Sequence, residues 1–171
     1  MFNVALGWIP ASDDGTRVTL ARMGTLARQG ALDPTVRGLA LSIVAGIPGR
    51  DSRAQVRAIR GWMGQHFRFT RDPIDAELLH DPALLLRQFT RRGYIAGDCD
   101  DAATLASALA RSIGLRTRWQ VVGFQDGAPM AHVYAEAASP GPDPRPWWDD
   151  FDVTRPVGTP PPVKRRWTIP V

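Results

Sequence analysis

The chain has 171 residues, 44% of them hydrophobic and 22% charged, which is the balance of one soluble globular domain and excludes a disordered or fibrous chain. No apolar run approaches the roughly 20 residues of a spanning helix, and the start, through Asp13 and Asp14, lacks a basic segment ahead of an apolar one, so a cytoplasmic protein without membrane contact is expected. One cysteine and three histidines exclude an internal disulfide and the common cysteine-based zinc sites. The net charge of +4 is local: residues 155–171 hold Arg155, Lys164, Arg165, Arg166 and no acid, so residues 1–154 are neutral. A neutral body argues against general nucleic-acid binding, and the basic tail is left as a surface for an acidic partner.

Phe2 to Leu6 reads as a strand, closed by Pro10 and the turn residues Asp13, Asp14 and Gly15. Helical spacing of Leu20, Met23, Leu26 and Ala27 predicts a helix from Thr16 to about Gln29. Asp33-Pro34 starts a second helix with a stripe through Val36, Leu39, Ala40, Ile43 and Val44, ending at Gly46 and Pro48. Asp51 or Ser52 caps a third, with Val56, Ile59 and Met63 buried, Ser52 and Gln55 offering a capping box, and Arg53, Arg57 and Arg60 on an expected solvated face. Phe67 to Thr70 is a short extended exit, Asp72-Pro73 a turn, and Asp81-Pro82 the start of a helix through Phe89, followed by a polar loop from Thr90 to Tyr94.

The segment Gly97-Asp98-Cys99-Asp100-Asp101 then runs into an alanine-rich helix that stops at Gly114, and small residues allow such a helix to lie close to a sheet. Beyond it the hydrophobic period changes to two. Arg118 to Phe124 and Met130 to Ala137 read as a hairpin about Asp126-Gly127, and Trp147 to Thr154 as a third strand after the Ser139–Pro144 loop. Residues 1–154 thus form a single α+β domain with a helical extension over about 1–50, and the Pro-rich, basic residues 155–171 form an extended strap or tail unsuited to a central strand.

Cys99 falls in the first turn of its helix, where free N–H groups and the helix dipole favour thiolate, although Asp98, Asp100 and Asp101 oppose it. An imidazolium would offset those charges, and His132, on a strand with Tyr134 and Glu136, is the best-placed partner. A carboxylate to orient it should come from Trp148-Asp149-Asp150-Phe151-Asp152, where spacing alone leaves both Asp150 and Asp152 open. His66 and His80 lie outside this pattern and read as structural or solvent-facing.

In order, Gly97-Asp98-Cys99, then Ala131-His132-Val133-Tyr134, then Trp148 with Asp152 and Thr154, at separations of 33 and 20 residues, resemble the transglutaminase-like superfamily of compact bacterial and phage type. The resemblance covers about residues 55–154. It implies a papain-like core with N-terminal helices, a central helix carrying Cys99 and a C-terminal antiparallel sheet. It also implies a catalytic triad of Cys99, His132 and Asp152 that cleaves or transfers at peptide or protein amide bonds through a thioester. A protease or amidase is the leading expectation, with phage or bacterial material as one use. Tyr94 and Gln88 are candidates for the second oxyanion donor, and Trp148 for a substrate contact. No cofactor is implied; animal cross-linking members use calcium and added β-domains, and this chain has no room for the latter.

Three rival readings bear on the same residues. A lone cysteine is commonly a small buried hydrophobe and a lone strand histidine a satisfied polar group, so an inactive assembly or partner-binding module keeping the fold is the alternative. Asp150-Phe151-Asp152-Val153-Thr154 fits the aspartate phosphotransferase pattern, but only 17 residues follow it, too few for that domain. The aspartates around Cys99 are oxygen ligands for a hard cation, yet they are accounted for more economically as helix-terminus residues, so no metal is expected.

Overall fold

Among the described residues, four of the five helices begin at an aspartate and the first at a serine, each accepting backbone N–H groups that the first turn leaves without partners. The computed structural model describes residues 4–7, 12–73, 77–141, 145–154 and 162–171, the side chains of 4–7 and of Glu77 excepted. Phe2, Asn3, Pro10, residues 142–144 of the predicted loop and residues 155–161 of the predicted tail lie outside them.

Helix α1 spans Asp13–Leu32, capped by Ser12 through Gly15 N–H at 3.1 Å. The turn read at Asp13-Asp14-Gly15 is therefore its first turn, where acids complement the helix dipole. Helix α2, Pro34–Ile43, starts at the Asp33 cap as expected. In α3, Ser52–His66, Asp51 is the cap, while Gln55 is buried and closes no box with Ser52. Helix α4, Pro82–Arg92, runs one turn beyond the expected end, because Gly93 with φ 74° supplies the left-handed stop and Arg91 and Arg92 face the negative helix end. Helix α5, Cys99–Ser112, is the central element, with every residue from Asp101 to Ala110 buried.

The strands are β1 Val4–Gly7, β2 Phe67–Phe69, β3 Glu77–His80, β4 Ile95–Gly97, β5 Thr117–Gly123, β6 His132–Ser139, β7 Trp147–Asp150 and β8 Arg165–Pro170. The last four form an antiparallel sheet in the order β7-β6-β5-β8. Two pairings stand apart: β1 with β3, antiparallel, and β2 with β4, parallel. The core joins helices to sheet through Met23, Val36, Ile59, Met63, Leu85, Leu105, Leu109, Trp119 and Phe151. Trp119, buried on β5, donates its indole N–H to Ser107 Oγ on α5 at 2.8 Å, so the small helix face and the aromatic strand interlock.

Three expectations change. Residues 165–170 are an edge strand paired with β5 from Gly123↔Arg165 to Arg118↔Pro170 and no separate tail; Trp167 and Ile169 alternate toward the core, and Pro170 ends the strand where a missing donor costs little. The strand expected through Thr154 stops at Asp150. Of the arginine face on α3, Arg53 and Arg57 are exposed as expected, although Arg53 also pairs with Asp149 at 3.0 Å, whereas Arg60 is partly buried and pairs with Asp150 at 3.3 Å.

Candidate active site

Asp98 ends the β4 exit and caps α5, its Oδ1 accepting from the Asp100 and Asp101 N–H groups at 3.0 and 3.3 Å. Cys99, the next residue, enters the helix with its own N–H outside that cap. Gly97 is required here by packing: a Cβ added to it would lie 2.5 Å from Asp101 Oδ2 and 2.8 Å from Asp101 Cβ. Asp101, 1% exposed, turns that carboxylate to His80, receiving its backbone N–H at 3.0 Å and bonding its Nδ1 at 2.8 Å. The end of β3 is thereby tied to the first turn of α5. His80, read from the sequence as structural or solvent-facing, is structural in this specific sense.

His132 opens β6. Its Nε2 lies 2.9 Å from Asp152 Oδ2, both side chains being largely covered. The other oxygen of Asp152 accepts from the Thr154 N–H at 3.1 Å and the Thr154 hydroxyl at 2.7 Å. The Asp152 N–H in turn donates to Asp150 Oδ1 at 3.1 Å, and Phe151 N–H to the Ala135 carbonyl at 2.8 Å. Asp152 thus sits in a turn just past β7, and it, not Asp150, reaches the imidazole. With Nε2 occupied, Nδ1 is the ring nitrogen left for proton transfer.

Cys99 and His132 line one cavity of about 310 Å³, together with Asp98, Asp100, Val121, residues 129–131, Val133 and, from α1, Ser12, Thr16, Thr19, Leu20 and Met23. Gln88, Tyr94 and Trp148 are not among its lining residues. The Gln88 side-chain oxygen instead accepts the Ala96 N–H at 3.4 Å, Tyr94 is exposed, and the Trp148 ring carries the Arg118 guanidinium 4.0 Å from its centroid. The contribution of α1 was not visible in the sequence, because its apolar spacing is that of any packed helix.

Burial, then the charges of Asp100 and Asp98, push the Cys99 thiol well above the usual thiol range, against the pull of the Val133 backbone bond. Its S–H donates to Asp100 Oδ1 at 3.5 Å. Burial, with Asp101 and Asp72 nearby, raises Asp98 to about 7. Burial also pushes Asp152 up, but the His132 and Thr154 bonds outweigh it and hold the carboxyl below its ordinary value. The bond to Asp101 raises His80 against the opposing effect of its burial. The group Asp98, Cys99 and Asp100 has the compactness of a metal site; in this structure the Asp98 carboxylate caps α5 and Asp100 accepts from the thiol.

Residues 38–152 match the family model of the transglutaminase-like superfamily. Two solved structures resemble the chain: one from Cytophaga hutchinsonii, described as a candidate cysteine protease, at 22% identity and TM-score 0.48, and one from Parabacteroides distasonis, described as a candidate protease, at 14% identity and TM-score 0.52. Each match covers 71% of this chain but only 37% and 25% of the respective structure, so the chain spans well under half of either. No curated protein matches it. Among the described residues no helix is long and apolar enough to cross a membrane. The architecture is the papain-like α+β arrangement, and the chain belongs to the transglutaminase-like superfamily.

Proposed function

We propose that this chain is a cysteine-nucleophile amide hydrolase in which Cys99 attacks the carbonyl, His132 moves the proton and Asp152 orients the imidazole. The observation that carries the reading is the His132 Nε2 to Asp152 Oδ2 bond of 2.9 Å, with Asp152 fixed by Thr154 and His132 sharing a cavity with Cys99. Because the thiol is held protonated at rest, the reading is general-base activation and not a standing ion pair. As Sγ bonds the carbonyl carbon, its proton passes to His132 Nδ1. The C–N bond then breaks, and that proton leaves with the amine. Water, losing a proton to His132, attacks the thioester, releasing the acid and restoring the thiol. An amine in place of water gives transfer. The Cys99 N–H, outside the Asp98 cap, is the first oxyanion donor of this reading.

The test offers a glutamine-containing peptide and a set of peptidyl amides to the full chain, with and without a labelled amine. Hydrolysis lost by about 10³-fold or more in both Cys99→Ala and His132→Ala supports the triad. Equal residual turnover in either variant overturns it. Amine incorporation exceeding hydrolysis would reassign the enzyme as a transferase. The raised thiol also favours a second reading, an inactive module. That reading requires iodoacetamide labelling whose pH profile is the same in His132→Ala.

A further inference from the structure

The family match begins at residue 38, yet α1, residues 13–32, forms one wall of the cavity beside Cys99. The Ser12 and Thr16 hydroxyls on that wall are engaged within the helix itself, Ser12 Oγ with Gly15 N–H at 3.1 Å and Thr16 Oγ1 with the Ser12 carbonyl at 3.0 Å. Leu20 extends it with apolar surface, Met23 packs behind Leu20 at 0% exposed, and Val121, Met130 and Val133 continue the apolar lining. The acidic lining side chains are Asp98 and Asp100, and among the described residues no Lys or Arg lines the cavity.

Strand β8, also beyond the matched span, holds this wall in place. Arg165 pairs with Asp13 at the start of α1 at 2.5 Å and donates to the Ala128 carbonyl at 2.5 Å, just before Pro129 and Met130 of the lining. The Arg17 guanidinium lies 4.6 Å from the Trp167 ring centroid. Two borders of the cavity are thus tied to one strand beyond the matched span.

We propose that α1 is the specificity wall of this site. It receives the uncharged, apolar side chain, of leucine or methionine size, of the residue whose carbonyl Cys99 attacks, and the two aspartates of the lining disfavour anionic side chains. This rests on the acyl-transfer reading above for the identity of the ligand. Leu20 is the specificity residue, Met23 backs it from the core, and Arg165 positions the helix that carries them.

The test measures alkylation of the full chain by benzyloxycarbonyl-leucine, -glycine and -aspartate chloromethyl ketones at one pH, located by peptide mass. The thiolate displaces chloride in every case, and Cys99 is the chain's single thiol, so the ratio of rates cancels the thiolate fraction. The leucine reagent is expected at least tenfold faster than glycine, and aspartate slower than glycine. Met23→Ala should shift preference toward a phenylalanine reagent, a gain that misfolding would not produce. Thr16→Trp, at a half-exposed position where folding is safer, should lower the leucine-to-glycine ratio. Leucine and glycine rates within twofold, aspartate as the fastest reagent, or ratios unmoved by both variants overturn the proposal. A leucine preference without amide turnover upholds the wall and overturns the catalytic reading, whereas turnover with no preference does the reverse.

Discussion

Two carboxyl side chains, Asp100 and Asp98, oppose ionisation of the Cys99 sulfur. Asp100 accepts from the thiol and, after burial, is the largest charge opposing thiolate. Asp100→Asn should therefore move the midpoint of iodoacetamide labelling to lower pH, read as rate against pH; an unmoved or higher midpoint would show that burial alone holds the thiol up. Asp152 behaves in the opposite sense. Its carboxyl is held below its ordinary value, so the bond to His132 is fully present above the unfolded carboxyl range and is lost as pH falls through the lowered value. Thr154→Val removes one of the donors responsible, and the acidic limb of the activity profile should move upward, with Thr154→Ser restoring it. Three ordered blocks pointed to Cys99, His132 and one of Asp150 and Asp152; spacing did not choose between the two aspartates, the resemblance favoured Asp152, and it is Asp152 that bonds the imidazole. The bond from His80 to Asp101 was not legible, because both residues belong to short segments whose meeting depends on how β3 is seated.

At the scale of elements, close approach decides more than propensity. An added Cβ at Gly97 would meet Asp101, and one at Gly30 of α1 would lie 2.7 Å from Pro82 Cγ and 3.1 Å from Ala108 Cβ. Gly97→Ala and Gly30→Ala should each cost about 1–3 kcal/mol in urea denaturation, and Gly97→Ala should also slow Cys99 labelling, because it displaces the first turn of α5. Gly30→Ala acting as a neutral or stabilising helix substitution would contradict the packing account. Helix starts were readable in advance because a cap is written in one or two residues, as at Asp33, Asp81 and Asp98. The pairings β1 with β3 and β2 with β4 were not, since three- and four-residue strands carry too little alternation. Strand β8 was hidden by the prolines ahead of it and by its own basic residues, which masked the inward alternation of Trp167 and Ile169.

For the molecule as a whole, the C-terminal strand is part of the stability of the site. Removing residues 162–171 would strip one edge from β5, uncover the apolar surface under Trp167 and Ile169 and release α1 from Arg165. A loss of at least about 2 kcal/mol in chemical denaturation is expected, together with faster Cys99 labelling through an opened cavity. An unchanged midpoint would mean that β8 is only laid against the sheet. The His80, Asp101 and Asp98 group adds a pH dependence. Burial raises Asp98 to about 7, so the folded state is favoured by protons and loses stability as pH rises from the ordinary carboxyl range toward 7. His80 acts in the same direction: its contribution is complete below its unfolded value and fades as pH rises through the raised one. His80→Gln should flatten the difference in urea midpoint between pH 5.5 and 8.5.

The bond between Asp13 and Arg165 joins positions 152 residues apart. Closing so long a loop adds nothing enthalpically until both ends have been brought together, whereas the hairpin of β5 and β6 and the packing of α5 on it are local in sequence. A refolding chain is thus expected to bury Trp119 in an early phase and to shield its sulfur in a later one. In that interval Cys99 lies beside a cavity that lacks its α1 side, so thiol labelling in the early phase should show none of the reagent preference expected of the folded chain.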